Sequence, residues 1–142
     1  MASVLKVDTL TGVTTAGSIA VTGEGNSTTT NLQQGLCKAY GMIDGTGTAN
    51  LITSFNGSGV TDNGTGDYTF NLTNSMSNST YMFMIDSHNN ATGHSERGAT
   101  KYDGGQTAGS FRFTVGYASN TSGGGTKYDE DFNPITLMGD LA

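Results

Sequence analysis

The residues of this 142-residue chain that could do chemistry are few and thinly spread. Cys37 is the single cysteine, and a catalytic thiolate needs a base close enough to take its proton. Only His88 and His94 could serve, and Leu36-Cys37-Lys38-Ala39-Tyr40 reads instead as a strand in which Cys37 is a small buried apolar side chain. One cysteine excludes an internal disulfide and leaves the redox compartment open. His88, His94 and Glu96 offer imidazole and carboxylate ligands without the closely spaced pair that metal centres use. Asp62-Asn63-Gly64-Thr65-Gly66-Asp67 has the composition of a calcium loop, because hard cations take carboxylate and carbonyl oxygens. It lacks the regular ligand spacing and terminal glutamate of an EF-hand, so a plain turn is expected. Asp129-Glu130-Asp131 reads as a wet acidic corner. No two acids sit on convincingly facing strands, as glycoside hydrolysis requires. The Asn-x-Ser/Thr triplets at Asn26, Asn56, Asn63, Asn71, Asn78, Asn90 and Asn120 follow from a composition rich in these residues. The expectation is a chain with no catalytic residue, no cofactor and no metal, and therefore no enzyme.

Composition narrows the remaining classes. Hydrophobic residues make up 34% and charged residues 13%, so the core must be thin or shared with another subunit. A disordered chain would carry high charge and few aromatics, and a helical domain would be rich in Ala, Leu, Glu and Lys. Thr, Tyr, Phe and Val with 22 glycines read as an all-β protein with many turns. A net charge of -6 leaves no basic stripe for phosphates, which argues against nucleic acid, and repels anionic lipid. No apolar run reaches spanning length, and the opening residues lack the basic-then-apolar layout of a secretory signal.

The elements that must position everything else are three alternating runs. Tyr68, Phe70 and Leu72 alternate with Asp67, Thr69 and Asn71, the period of a strand with one buried and one wet face. Tyr81, Phe83 and Ile85 repeat the device against Met82, Met84 and Asp86. Phe111, Phe113, Val115 and Tyr117 do so against Arg112, Thr114 and Gly116. Tyr68, Phe70, Tyr81, Phe83, Phe111 and Phe113 are thus the predicted core. A strand over Leu36–Ile43 precedes the loop Asp44–Thr48, and Leu51–Phe55 opens a hairpin-like passage marked by the turn dipeptides Asn56-Gly57 and Asn63-Gly64. Val60 suggests a minimal strand between them, and Asn74–Ser79 reads as a polar turn. Gly98-Ala99-Thr100-Lys101-Tyr102-Asp103 is echoed by Gly124-Gly125-Thr126-Lys127-Tyr128-Asp129, as two equivalent strand ends flanking the Phe111 strand would require.

Residues 1–35 differ from the rest. Val4, Leu5, Val7 and Leu10 make a strand-like piece, and Ile19-Ala20-Val21 a second, before the polar run Ser27–Thr30. Asn31 is placed to cap one helical turn, Leu32-Gln33-Gln34, that stops at Gly35. Nothing here can bury itself alone, so residues 1–35 are expected to be an extended arm that adds a strand to a partner's sheet. Residues 36–142 are expected to form an antiparallel β-sandwich or small barrel of about seven to nine strands.

Leu5-Lys6-Val7-Asp8-Thr9-Leu10-Thr11-Gly12 and Ser27-Thr28-Thr29-Thr30-Asn31-Leu32-Gln33-Gln34-Gly35-Leu36 resemble the opening of small virion proteins of marine tailed bacteriophages. Ser54-Phe55-Asn56 and Val60–Thr69 resemble a module repeated in phage tail fibres and head-surface proteins. Tyr40 stands where that family often has Trp, and Thr53 where it often has Arg; the second half of the chain has no counterpart. The resemblance implies a virion structural protein and a homotrimer, bound to the major capsid protein or other virion proteins. One reading is a capsid decoration or cement protein on the head, attached through the arm. Another is a short tail-fibre or adhesin component contacting a host surface glycan or protein. The third, a small glycan hydrolase, has no site. An arm with one compact domain fits head decoration better than a fibre, which needs a long shaft. The absence of Trp removes the usual stacking platform for a glycan.

Overall fold

The computed structural model describes residues 4–13, 19–22, 29–88, 98–117 and 125–142. They fall into two units, Met1–Leu36 and Cys37–Ala142. In the first, residues 4–13 carry no strand. Alternation chooses a face, but only a neighbouring strand can satisfy the backbone groups of a ladder. Further on, β1 (Ala20–Thr22) pairs antiparallel with β2 (Thr29–Asn31). Thr29 and Thr30, the end of the polar run, therefore belong to a strand, as their β-branched side chains favour. Asn31 ends the hairpin and caps α1 (Leu32–Gly35), its Oδ1 accepting a hydrogen bond from the Gln34 N–H at 3.1 Å.

The second unit is an antiparallel β-sandwich. Its strands, among the described residues, are β3 (Cys37–Asp44), β4 (Asn50–Phe55), β5 (Gly57–Asp62), β6 (Asp67–Leu72), β7 (Met82–Ile85), β8 (Gly98–Gln106), β9 (Ser110–Tyr117), β10 (Thr126–Lys127) and β11 (Asn133–Met138). One sheet has the order β4-β3-β11-β7. In the other, β9 is central. One edge of β9 pairs with β6, which in turn pairs with β5, and β10 continues that edge beyond β6; the opposite edge pairs with β8. The two Thr-Lys-Tyr-Asp copies thus flank one strand, with Gly98 and Lys127 both opposite Gly116.

The inner faces follow the alternation. Tyr68, Phe70 and Leu72 from β6 and Phe111, Phe113 and Val115 from β9 meet Ala39, Ile43, Ile135 and Leu137 from the facing sheet. Phe70 lies opposite Phe111 in register. Phe111 in turn reaches across to Phe83 of β7, with ring centroids 4.7 Å apart. Phe83 itself is only partly buried, because β7 is the edge of its sheet. Tyr81 precedes β7 and is buried, its hydroxyl donating toward the carbonyls of Thr107 and Ser110 at 2.9 and 3.0 Å. Burial pushes that hydroxyl's pKa up to about 12.

The passage after Leu51 is a corner, not a hairpin. β4 pairs with β3, while β5 pairs with β6 in the other sheet, so the chain changes layer at Asn56. Asn56 has φ 56°, the left-handed region that Asn tolerates better than most residues. Its Nδ2 donates to the carbonyls of Lys38 (3.1 Å) and Asn74 (3.0 Å), and its Oδ1 accepts from the Asn74 N–H at 2.7 Å. Held in this way, the segment after Asn74 is not a purely polar turn. Met76 within it is buried and forms a bridge to Leu141.

Two outcomes test this account. Phe70→Ala should destabilise by about 3–5 kcal/mol in urea unfolding, and Phe83→Ala by clearly less, since its ring is only partly buried. Asn56→Gly keeps the backbone conformation and loses the side-chain bonds, whereas Asn56→Ala loses both. The alanine variant should therefore melt lower than the glycine variant, by about 1–2 kcal/mol at the midpoint. Equal melting temperatures would show that the left-handed conformation carries no cost here.

Candidate interaction surfaces

Among the described residues, those that sequence singled out for chemistry do not assemble into one site. Cys37 is exposed rather than buried, because the register of β3 with β11 shifts at this end and releases it from the core. Its thiol donates to the Ala39 carbonyl at 3.1 Å. His88 is exposed and forms a bridge with Phe132, and His94 and Glu96 lie outside the described residues. Among the described residues, no three His, Cys, Asp or Glu side chains are grouped to hold a metal ion. The predicted core residues do gather, in the interior of the sandwich, whereas the arm residues are exposed, Val4 at 76%, Leu5 at 79%, Val7 at 56% and Leu10 at 55%.

Asp62–Asp67 is a tight turn between β5 and β6. Asp62 Oδ1 accepts from the Gly64 N–H at 2.8 Å, and the Asn63 N–H donates to the Asp67 carbonyl at 2.8 Å. Gly66 (φ 60°) approaches β9 and β10 so closely that a Cβ there would stand 2.5 Å from the Val115 carbonyl oxygen. Its N–H donates to Asp129 Oδ1 at 2.7 Å. The Tyr68 hydroxyl has two acceptors in reach, Asp129 Oδ1 at 2.5 Å and the Gly45 carbonyl at 3.1 Å. Burial first, and the Asp129 carboxylate second, raise the Tyr68 pKa far above its ordinary value.

The acidic corner is correspondingly not a wet one. Asp129 is exposed but bound to the β6 turn, and Glu130 is fully buried. The Glu130 carbonyl accepts from Gly45 N–H (2.9 Å) and Asn133 Nδ2 (2.7 Å). Asn133, also fully buried, gives its second Nδ2 bond to the Ile43 carbonyl at 3.0 Å and accepts from Ser87 Oγ at 2.8 Å. Asn133 did not stand out in the sequence, and Glu130 did so only as part of an acidic run. A buried Asn at a strand start looks the same on paper as a solvated one.

Asp67 opens the alternating run on its polar side, yet it is 5% exposed. Arg112 on the adjacent strand donates to it through Nε at 2.7 Å and through a terminal nitrogen at 3.1 Å. Lys127 Nζ donates at 2.8 Å, and the Arg112 guanidinium lies 3.9 Å from the centre of the Tyr102 ring. Desolvation opposes ionisation of Asp67, but the hydrogen bonds and charges of Arg112 and Lys127 outweigh it and hold the carboxyl below its usual pKa. The cluster joins the second copy of the echoed motif to the first, since Tyr102 and Lys127 come from the two copies. Thr69 and Asn71 continue this polar outer face.

Two stacked aromatic pairs reach the surface. Tyr40 and Phe55 have centroids 5.9 Å apart at an interplanar angle of 28°, and Tyr117 and Tyr128 are 5.6 Å apart at 25°. Comparison with protein-family models, curated proteins and solved structures found no match.

The Asp67 cluster makes a pH prediction. A depressed carboxylate pKa contributes stability that is present above the unfolded value near 3.9 and is lost as pH falls through the lower folded value. Asp67→Asn should cost about 1–3 kcal/mol at pH 7. The gap between parent and variant should close as pH is lowered from about 5 toward 2. Melting curves that stay equally separated down to pH 2 would show that the side chain acts by shape rather than charge.

Proposed function

We propose that this chain is a structural protein of a bacteriophage virion, a capsid decoration or cement protein held on the head surface through its N-terminal arm. The resemblance of Leu5–Gly12 and Ser27–Leu36 to small phage virion proteins supplies the class. One observation carries the attachment: Val4, Leu5, Val7 and Leu10 are all more than half exposed in a segment without a strand. Fully burying such side chains yields about 1.5–3 kcal/mol each, against an ordering cost of about 1–2 kcal/mol per residue. The balance favours order only where a partner's sheet also supplies backbone hydrogen bonds. The partner in this reading is the major capsid protein or another virion protein.

The alternative, a short tail-fibre or adhesin component, is favoured by the stacked Tyr117–Tyr128 pair, since ring faces of this kind can hold a host glycan. Copy number separates the two: on the order of hundreds per virion means the head lattice, about a dozen means the tail.

The arm is tested in the full chain by Leu5→Glu combined with Val7→Glu. The variant should melt like the parent and lose at least about tenfold in incorporation into virions, a loss of roughly 1.4 kcal/mol or more in attachment. Undiminished incorporation would refute attachment through the arm.

A further inference from the structure

We propose that Asn63 is a site of spontaneous modification, converting slowly to aspartate and isoaspartate through a cyclic imide, while the fold protects Asn56 from the same reaction. Asn-Gly occurs twice in the chain, at Asn56-Gly57 and Asn63-Gly64. In such a dipeptide the glycine nitrogen, once its proton is lost to hydroxide, attacks the asparagine Cγ. The Cγ–Nδ2 bond breaks, the departing nitrogen takes a proton from water and leaves as ammonia, and a succinimide remains. Water then opens the ring at either carbonyl. One opening gives aspartate, and the other gives isoaspartate, in which the backbone runs through the side chain. Glycine favours closure because it has no Cβ to block the approach. The rate then depends on how readily the two groups can meet.

The two dipeptides sit in opposite surroundings. Asn63 and Gly64 are both exposed, and a Cβ on Gly64 would meet nothing within 4 Å. Asn63 Nδ2 donates to Thr69 Oγ1 at 2.9 Å, and the Gly64 N–H donates to Asp62 Oδ1 at 2.8 Å. Both bonds lie at the surface, where water replaces them at little cost. The backbone bonds that close the turn, from the Asn63 N–H to the Asp67 carbonyl and from the Asp67 N–H to the Gly64 carbonyl, use neither reacting atom. Asn56 is half-buried and held at both ends of its amide. Nδ2 donates to the Lys38 and Asn74 carbonyls, and Oδ1 accepts from the Asn74 N–H and from Asn74 Nδ2. Turning its Cγ toward Gly57 breaks all of these together. Gly57 cannot move to meet it, because it pairs with Leu72 and a Cβ there would stand 2.7 Å from the Phe70 ring. Conversion of Asn63 adds a carboxylate next to Asp62. In the isoaspartyl form it also lengthens the backbone of the turn that holds Gly66 against Asp129. The change is time-dependent, needs no enzyme and is independent of the virion reading.

The full chain is held for days at mildly alkaline pH in heavy-oxygen water, once folded and once in urea. Mass spectrometry then sequences the peptide that spans both dipeptides. The heavy oxygen marks each carboxylate formed during the incubation and separates it from any formed earlier. In the folded chain Asn63 should convert at least about tenfold faster than Asn56, a difference in barrier of about 1.4 kcal/mol or more. In urea, where neither side chain is held, the two should convert at similar rates. Asn56 converting as fast as Asn63 in the folded chain would overturn the proposal. So would an Asn63 that converts in urea and stays intact when folded. A preference for Asn63 that persists undiminished in urea would overturn it too, because local sequence rather than the fold would then set the rates.

Discussion

The sandwich depends on one fit: the ring of Phe70 occupies space that two neighbouring residues leave vacant. A Cβ on Gly41 would stand 2.8 Å from Phe70 Cε2, and one on Gly57 would stand 2.7 Å from the same atom. Gly41 belongs to the facing sheet and Gly57 begins the strand beside Phe70. The aromatic ring therefore fills the gap that two side chains would otherwise contest. Close packing then needs few large residues, which is how a chain with 34% hydrophobic content closes a core. From Phe70 the contact runs on through Phe111 to Phe83 at the edge strand. The Asn56-Gly57 dipeptide serves this fit twice. Asn56 turns the chain from one layer to the other, and Gly57 admits the ring.

Polar groups close the sandwich where the aromatic ones stop. The Tyr68 ring is in the core, but its hydroxyl meets the Gly45 carbonyl and Asp129 at the loops. No side chain fits at Gly45, since a Cβ there would overlap that hydroxyl. Asn133 extends the same network to Ile43, Glu130 and Ser87. Each donor in it has an acceptor, which is the condition for a buried polar group to cost little. The loops after β3, before β6 and before β11 are thereby tied to one another by side chains rather than by regular structure.

Much of this was legible from the sequence, and the limits have physical reasons. The alternations around Phe70, Phe83 and Phe113 identify their inner faces because a sheet has a strict two-residue period. The echoed Thr-Lys-Tyr-Asp segments point to two strand ends beside β9, and the Asn31 cap is a local hydrogen bond readable from residue type. Asn56-Gly57 shows that the chain turns, but a positive φ is common to hairpins and corners. Pairing partners decide between them, and these lie far away in the chain. Met76 and Glu130 are buried amid polar neighbours, so no local pattern marks them. Asp67 sits on the outward side of its strand, as its alternation says. It is covered all the same, because Arg112 and Lys127 reach it from strands whose adjacency is a tertiary fact.

The two outer faces have opposite character, and hydrogen-bond chemistry explains why one suits water better. On the five-stranded side, Asp67 binds two cations and Arg112 rests on Tyr102, so charges and rings satisfy one another within the sheet. On the four-stranded side, Tyr40 and Phe55 stack on each other, and Met82 and Met84 are exposed. Scattered exposed apolar residues are ordinary on a monomer, but a row that crosses every strand of a sheet is contiguous by construction. The thin interior and this face have a common origin. Glycines at the layer interface let the sheets approach without bulky residues, and part of the chain's limited apolar material is thereby available on the outside. Met76 is in the core, but Met82 and Met84 lie outside it and contribute little to the stability of the chain by burial.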